Sequence, residues 1–331
     1  MKKFILGIIV TFILLFSVKA FAYDLDKDDK IYVGGQSIGI KLNNGVEVVG
    51  TYGIYSDGIL HKPWDNDNII EGDKILKVDE NEVLSCDDLL DGLLKTNGKK
   101  VSLLLLRNNV VITKEITPVR KDNTYSLGIY IKDAILGVGT LTYYVKDANI
   151  YGSLGHRIST DSFISGKIYD ATVDEIIKPI RGQAGEKRAT IYGNSIGNVE
   201  INSDTGVQGI TNSKFNNDNM TLLGFKVKEE VNLGKAQIWT CISGTKVNKY
   251  DIEITKLVKQ DEKDVKGIIY KVVDEKLIDK AGGIVQGMSG SPIVQDDKII
   301  GAVTHVSIND ATIGYGIYIE WMFMDMGINI K

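Results

Sequence analysis

From Leu127 to the C-terminus, the sequence consists of short apolar segments separated by glycine-containing turns. In segments such as GVGTLTYYV, KRATIYG and KIIGAVTHV, β-branched and aromatic residues recur at every second position. This alternation predicts β-strands, because successive side chains of a strand point to opposite faces of a sheet. Only DEIIKPI (residues 174–180) suggests a short helical turn. Many short strands at regular spacing predict a β-sandwich or a β-barrel, and therefore a mainly β protein.

A different order of elements is predicted for residues 30–119. The segments IGIKL and VEVVGTYGI predict two strands joined by a hairpin turn at residues 43–45. The segment SCDDLLDGLLKTNG predicts a helix that Ser85 caps. A further hairpin is expected to turn at Asn108 and Asn109. This order resembles a PDZ domain, especially in GGQSIGI and GDKILKVDENEV. The resemblance implies a small α+β domain at residues 30–119, a linker at residues 120–126 and a second domain at residues 127–331.

The PDZ resemblance also implies a binding site for peptide C-termini. In that family, a glycine-rich loop donates backbone N–H groups to a terminal carboxylate, and the following strand edge accepts the peptide as an added strand. The candidate residues of this loop are Gly34, Gly35, Ser37, Ile38, Gly39 and Ile40. The insert SDGILHKPWDND, which contains His61 and Trp64, is expected to be a surface loop.

Residues 1–22 have the layout of a secretory signal peptide. Lys2 and Lys3 precede an apolar run from Phe4 to Val18, and Ala20-Phe21-Ala22 supplies small residues for cleavage after Ala22. The apolar run has 15 residues, whereas a spanning helix needs roughly 20. With looser ends, the same run would serve as an uncleaved membrane anchor. Either interpretation predicts export across the cytoplasmic membrane.

Composition excludes several classes of function. The formal net charge of −4 and the lack of a basic stripe argue against a nucleic-acid partner. Two cysteines, Cys86 and Cys241, cannot build a disulfide scaffold; two buried thiols are expected, with a single disulfide as the alternative. Three histidines and no CxxC pair predict no metal site, and no cofactor is predicted.

The segment QGMSGSP (residues 286–292) has the features of a nucleophile turn. A serine hydroxyl becomes a nucleophile when a base removes its proton, and backbone N–H groups must then stabilise the oxyanion. If Ser289 attacks, the N–H groups of Gly287 and Ser289 are the candidate oxyanion hole. The sequence from Ser289 to Met322 resembles the chymotrypsin-like serine proteases. The resemblance implies a double β-barrel, selects Ser289 rather than Ser291, and places His305 on a wall of the substrate pocket.

The candidate bases are the three histidines, His61, His156 and His305. His156 follows a glycine turn in YGSLGHRISTDS and lies well upstream of the serine. His305 follows Ser289 by only 16 residues, on the adjacent predicted strand. We therefore predict that His156 is the general base.

A closer resemblance covers nearly the whole chain after the signal segment. The segments GVGTLTYYV, GSLGHRIS, DEKLIDKAGGIVQGMSGSPIVQ and GAVTHVSIND resemble the stage IV sporulation protein B peptidases. The resemblance implies a catalytic triad of His156, Asp274 and Ser289. Asp161 is the alternative third member, because it lies close to His156 in the sequence.

The resemblance to this family also implies a biological role. Its members are self-cleaving serine peptidases of endospore-forming bacteria. The expected activity is cleavage of a membrane-anchored regulatory protein, and of the chain itself, in the space between the two membranes of the developing spore. The alternative is a non-catalytic PDZ-containing scaffold with a protease-like β-domain. The presence of both His156 and Ser289 favours the enzyme.

Overall fold

The computed structural model describes residues 22–65, 68–159 and 165–331. Residues 1–21 of the predicted signal segment and the candidate Asp161 lie outside these ranges. Among the helices that are described, none combines the length and apolar character needed to cross a membrane.

The described residues form β-strands for the most part, with three short α-helices. In chain order, the first strands are β1 (Tyr23–Leu25), β2 (Ile31–Val33), β3 (Ser37–Thr51), β4 (Ile54–Ser56), β5 (Ile59–His61), β6 (Lys74–Val78), β7 (Asn81–Glu82), β8 (Val101–Arg107), β9 (Val110–Ile116), β10 (Val119–Lys121), β11 (Thr124–Ser126) and β12 (Ile129–Val145). The later strands are β13 (Ile150–Ser153), β14 (Ser165–Ile177), β15 (Glu186–Ser203), β16 (Gly206–Thr211), β17 (Thr221–Phe225), β18 (Gly234–Thr240), β19 (Asn248–Leu257), β20 (Ile268–Val272), β21 (Pro292–Gln295), β22 (Lys298–Val306), β23 (Ile313–Tyr318) and β24 (Ile328–Ile330). The helices are α1 (Cys86–Lys95), α2 (Glu275–Ala281) and α3 (Ile319–Asp325).

Six antiparallel strands close into a first barrel. Strand β12 pairs with β13, β13 with β16, β16 with β15, β15 with β14, and β14 with the N-terminal half of β3, which pairs back to β12. Closure leaves every strand with two neighbours, so the barrel has no open edge. Its core includes Ile38, Ile40 and Ile168, each at most 1% exposed.

A second barrel closes in the same way. Strand β18 pairs with β19, β19 with β20, β20 with β23, β23 with β22, β22 with β21, and β21 with β18. This barrel carries the largest buried cluster, which includes Trp239, Tyr270 and Phe323. The mainly β architecture with two barrels confirms the predicted fold class.

A small α/β unit (residues 46–132) has its own core. It contains the C-terminal half of β3, strands β6 to β9 and α1, around Leu89, Leu93, Leu103 and other buried apolar side chains. Helix α1 begins as predicted: the Ser85 side chain accepts from the N–H of Asp88, and the Asp88 carboxylate accepts from the N–H of Ser85. The predicted turn at Asn108 and Asn109 is also present, with both residues at positive φ.

The α/β unit is inserted into the first barrel, and this differs from the predicted domain order. The hairpin predicted at residues 43–45 does not form, because β3 continues through these residues and pairs with β12 on both sides of them. The extra residues are absorbed in a bulge opposite Asp133, where Gly45 adopts φ +89° and its N–H donates to Asn43 Oδ1. Residues 37–43 of β3 therefore belong to the first barrel, and β2 before them pairs with β12 of that barrel, so the predicted boundary at residue 30 is wrong.

Three smaller features also differ from expectation. The predicted linker 120–126 lies in the hairpin of β10 and β11. The insert around His61 forms the hairpin of β4 and β5, and Trp64 behind it packs on the core of the α/β unit. The segment predicted as a helical turn includes the last residues of β14. Both cysteines are free thiols: Cys241 is buried, whereas Cys86 is partly buried.

We predict that a chain starting at residue 120 does not fold, although it contains the whole predicted peptidase region. It lacks β2 and β3, and removing β3 opens the first barrel between β12 and β14. Near-UV circular dichroism and urea unfolding should show a cooperative transition for residues 23–331 and none for residues 120–331. A native-like transition in the shorter chain would contradict the insertion.

Candidate active site

Ser289 and His156 meet where the two barrels contact each other. Ser289 lies in the turn before β21 of the second barrel, and His156 lies in the loop after β13 of the first. The Ser289 Oγ is 2.8 Å from the His156 Nε2, a hydrogen-bonding distance for transfer of the hydroxyl proton. The structure thus brings together the predicted nucleophile and base, which are separated by 133 residues in the chain.

The other ring nitrogen of His156 contacts the backbone. His156 Nδ1 is 2.8 Å from the carbonyl oxygen of Arg157. Because a carbonyl oxygen can only accept, we assign the proton of the neutral ring to Nδ1. Nε2 is then left with a lone pair that accepts from Ser289, which is the tautomer a general base requires. The Ser289 hydroxyl has a second acceptor, the carbonyl oxygen of Thr304 at 3.2 Å.

Asp274 does not reach His156, so the predicted third member of the triad is not at the site. Its side chain caps α2: Oδ1 accepts from the N–H of Leu277 at 3.0 Å, and Oδ2 accepts from the N–H of Asp251 at 3.3 Å. The first turn of a helix has unsatisfied N–H groups, and an aspartate at this position satisfies one of them. The carbonyl of Arg157 takes the place beside Nδ1 that Asp274 was expected to take.

The turn from Gln286 to Ser291 presents two N–H groups that have no acceptor among the described residues. The Gln286 carbonyl accepts from the N–H of Lys187 at 2.8 Å, and the Met288 carbonyl accepts from the N–H of Ser291 at 2.9 Å. In a trans peptide, C=O and N–H point in opposite directions, so the N–H groups of Gly287 and Ser289 point away from these partners. Within the described ranges, neither of these two groups has an acceptor. This arrangement fits the predicted oxyanion hole.

Glycine is required beside the nucleophile for steric reasons. Gly290 has φ +89°, and a Cβ at this position would overlap the carbonyl of Thr140 and the backbone of Leu154. These two residues belong to the first barrel, so the nucleophile turn lies directly against it. Gly287 also has a positive φ, at +88°.

A groove of about 560 Å³ runs past Ser289 and His156. Its apolar lining includes Ile158, Ile284 and Ile308. His305 lines it as well, and its ring centroid lies 5.6 Å from that of His156. Burial and the neighbouring His156 lower the pKa of His305, which keeps its ring neutral at neutral pH.

The predicted carboxylate-binding loop lies in the barrels and not in the α/β unit. The N–H groups of Gly34 and Gly35 already donate to the carbonyls of Thr142 and Leu141, at 3.0 and 2.8 Å. The residues that follow, Ser37, Ile38, Gly39 and Ile40, are in β3 and pair with β12. The glycines serve close packing, since a Cβ at Gly34 would overlap the Leu141 carbonyl and one at Gly39 would overlap Ile191. The prediction that this loop binds a peptide C-terminus is therefore wrong.

Lys187 contacts the turn from Gln286 to Ser291, and no motif in the sequence indicated a role for this lysine. It is 2% exposed, and its Nζ is near the hydroxyls of Ser37, Thr140 and Thr240. The signal available in the sequence was its place in β15, where it alternates with the outward-facing Glu186 and Arg188.

Comparison with known proteins identifies relatives of the chain. The family model for SpoIVB peptidase S55 matches residues 123–323. A protein of Clostridium perfringens named as a zinc metalloprotease is 34% identical over 70 residues, so the match spans about a fifth of either chain. Among the described residues of this chain, no group of three or more His, Cys, Asp or Glu side chains could hold a metal ion.

Solved structures with partial similarity include two proteases. The active form of the Rv3671c protease from M. tuberculosis has 13% sequence identity and a TM-score of 0.34, over 58% of this chain and 75% of that chain. The HtrA-type protease AlgW with a decapeptide has 10% identity and a TM-score of 0.33, over 63% of this chain and 56% of that chain.

We predict that Ser289 reacts at nearly the wild-type rate in the Asp274→Asn variant, whereas in the His156→Ala variant it does not. Asparagine caps a helix about as well as aspartate, so the rate of labelling by a serine-directed fluorophosphonate should stay within about twofold. Loss of the base in His156→Ala should lower this rate by about 10⁶-fold. A loss in Asp274→Asn that approaches the loss in His156→Ala would restore Asp274 to the triad.

Proposed function

Because this chain is a serine peptidase that belongs to the SpoIVB peptidase S55 family, we propose that it is an exported, self-cleaving endopeptidase that cuts a membrane-anchored regulatory protein during endospore formation. Its proposed place of action is the space between the two membranes of the developing spore. The observation that carries the chemistry is the 2.8 Å contact between Ser289 Oγ and His156 Nε2. A non-catalytic scaffold would have no need for this contact, or for the two N–H groups beside it that lack an acceptor in the described part of the chain.

The geometry supports acyl transfer in two steps. As Ser289 Oγ bonds to the substrate carbonyl carbon, its proton passes to His156 Nε2, and the oxyanion accepts from the N–H groups of Gly287 and Ser289. His156 then gives the proton to the leaving amine, and the C–N bond breaks. In the second step, His156 takes a proton from the water that attacks the acyl carbon, the ester bond to Ser289 Oγ breaks, and His156 returns the proton to Ser289. The Arg157 carbonyl holds the ring orientation throughout, through Nδ1–H.

The groove favours apolar side chains next to the cleaved bond. Ile284, Val306 and Ile308 line it close to Ser289, and no charged side chain is among its lining residues within the described ranges. An apolar side chain would displace water from this surface, at about 25 cal/mol per Å² buried. We therefore propose that substrates carry an apolar residue beside the cleaved bond.

The fold leaves two places for self-cleavage near the N-terminus. Strand β1 pairs with β24, so Tyr23–Leu25 is held against the C-terminal end of the chain. Residues 26–30 after it are all exposed, and so is Ala22 before it. Cleavage on either side of β1 would separate the peptidase from the predicted signal or anchor segment without removing a strand of either barrel.

We further propose that the α/β unit binds a protein C-terminus, of a partner or of a cleavage product. The loop that was expected to bind the carboxylate lies in the barrel, so the support is the predicted PDZ-like order of strands and helix alone. The unit is joined to the peptidase through β3 and β12, so a ligand bound to it would be held close to the first barrel.

We predict that wild-type protein shortens with time and that the full-length Ser289→Ala protein does not. Mixing tagged Ser289→Ala protein with untagged wild type separates cleavage between molecules from cleavage within one. N-terminal sequencing should place new ends between residues 22 and 31. A wild-type chain that stays intact but is labelled by a fluorophosphonate would contradict self-cleavage while leaving the peptidase activity in place.

We also predict that the protein prefers peptides with a free C-terminal carboxylate to amidated peptides of the same sequence. Ser289→Ala protein is used so that the peptides are not cut, and binding is followed by fluorescence anisotropy. Loss of a charge-assisted hydrogen-bond site should weaken binding about tenfold. Equal affinities across a peptide panel would contradict carboxylate recognition by the α/β unit.

A further inference from the structure

Lys187 is buried, and its ammonium group has no carboxylate partner among the residues that the structure describes. Lysine is rarely fully buried unless it is paired, yet the described partners of Nζ are three hydroxyl groups: Ser37 Oγ at 3.2 Å, Thr140 Oγ1 at 3.3 Å and Thr240 Oγ1 at 3.4 Å. The titratable group that faces it is the thiol of Cys241, which is itself buried. Burying an ammonium group is costly, so its retention here calls for a reason in function.

Lys187 packs against the turn from Gln286 to Ser291, which carries the two candidate oxyanion donors. Its N–H donates to the carbonyl of Gln286 at 2.8 Å, which directs the N–H of Gly287 away from it. Its Cβ lies 2.9 Å from where a Cβ on Gly287 would be, so the side-chain stem forms the floor under that glycine. Both the main chain and the side chain of Lys187 therefore contact the residues that carry the oxyanion donors.

Thr140 connects the ammonium group to the turn. Its hydroxyl donates to the carbonyl of Gly287 at 3.1 Å, and its N–H donates to the carbonyl of Ser289 at 2.9 Å. An ammonium group has three hydrogens and no lone pair, so Thr140 Oγ1 must accept from Lys187. The hydroxyl proton of Thr140 is then available for the carbonyl of Gly287.

We propose that Lys187, as an ammonium ion, is a positioning residue for the oxyanion hole. By fixing the direction of the Thr140 hydroxyl, it holds the peptide between Gly287 and Met288 in place. This peptide joins the two peptides that carry the N–H groups of Gly287 and Ser289, so its position keeps both donors directed at the substrate. This role rests on the serine peptidase activity of the chain and not on its proposed part in endospore formation.

The positioning role implies a dependence on pH. Burial lowers the pKa of Lys187 to about 8. Burial raises the pKa of Cys241, so its thiol stays neutral over this range. Ser37, Thr140 and Thr240 do not titrate, and Glu186 and Arg188 on the same strand point outward. Above a pH of about 8, the neutral amine can accept from Thr140, and the hydroxyl proton is no longer directed at Gly287.

Stability should respond in the opposite direction. The pKa of Lys187 in the folded chain is lower than its ordinary value of 10.5. Between these two values the unfolded chain binds more protons than the folded chain, so the contribution of Lys187 to the free energy of unfolding rises with pH. If Lys187 had only a structural role, activity would not fall over the pH range in which its contribution to the free energy of unfolding rises.

The test is the substitution Lys187→Met, which keeps most of the side-chain length and removes the charge and the donors. We expect kcat for a peptide substrate to fall about 10- to 100-fold with KM nearly unchanged, because the lost interaction acts on the transition state. The wild type should lose activity above a pH of about 8, and this alkaline loss should be absent in Lys187→Met. Far-UV circular dichroism at each pH shows that the chain remains folded.

Two substitutions at Thr140 provide the matched comparison. Thr140→Val removes the hydroxyl and keeps the shape, so it should reproduce the loss of kcat, whereas Thr140→Ser should recover most of it. Lys187→Met combined with Thr140→Val should lose no more than either single change, since both break one chain of hydrogen bonds. A wild-type kcat in Lys187→Met, or a retained alkaline loss, would overturn the proposal. If Lys187→Met does not fold, equal activity of the two Thr140 variants would overturn it.

Discussion

The contact between Ser289 and His156 joins the two barrels, and the rest of the site depends on how closely the barrels approach. Thr140 and Thr142 of the first barrel donate to the carbonyls of Gly287, Ser289 and Gly290 in the nucleophile turn of the second. The two barrels approach so closely at Gly290 that there is no room for a side chain at this position. Packing between the barrels and the hydrogen bonds of Thr140 and Thr142 therefore hold the nucleophile turn against the barrel that carries the base.

His156 is oriented by a carbonyl oxygen among the residues that the structure describes. A carbonyl is a neutral acceptor, so it fixes the tautomer of the imidazole but stabilises the imidazolium less than a carboxylate would. The oxyanion donors of Gly287 and Ser289 are the second source of transition-state stabilisation at this site. The ammonium group proposed for Lys187 would act on the turn that carries them, where electrostatic interactions are stronger because water is excluded.

The sequence was informative where a local rule decides the structure. The alternating segments predicted the strands, the pair of Ser85 and Asp88 predicted the start of α1, and the spacing of glycines around Ser289 predicted the nucleophile turn.

Prediction from the sequence was wrong where the same local sequence pattern is compatible with two different structures. Residues 43–45 fit a hairpin turn or a bulge equally well, and only the long-range pairing of β3 with β12 selects the bulge. The glycines at positions 34, 35 and 39 fit an anion-binding loop as well as close strand packing. An aspartate 15 residues before the serine fits a triad member or a helix cap, and Lys187 is an ordinary strand residue until the barrel closes around it.

The most direct test of the account is the protonation of the His156 ring, measured by ¹⁵N NMR on the uniformly labelled protein at neutral pH. The account predicts a proton on Nδ1, none on Nε2, and a change in the Nε2 chemical shift in Ser289→Ala but not in Ser291→Ala. A neutral ring with its proton on Nε2, or an Nε2 signal that does not respond to the loss of the Ser289 hydroxyl, would contradict it.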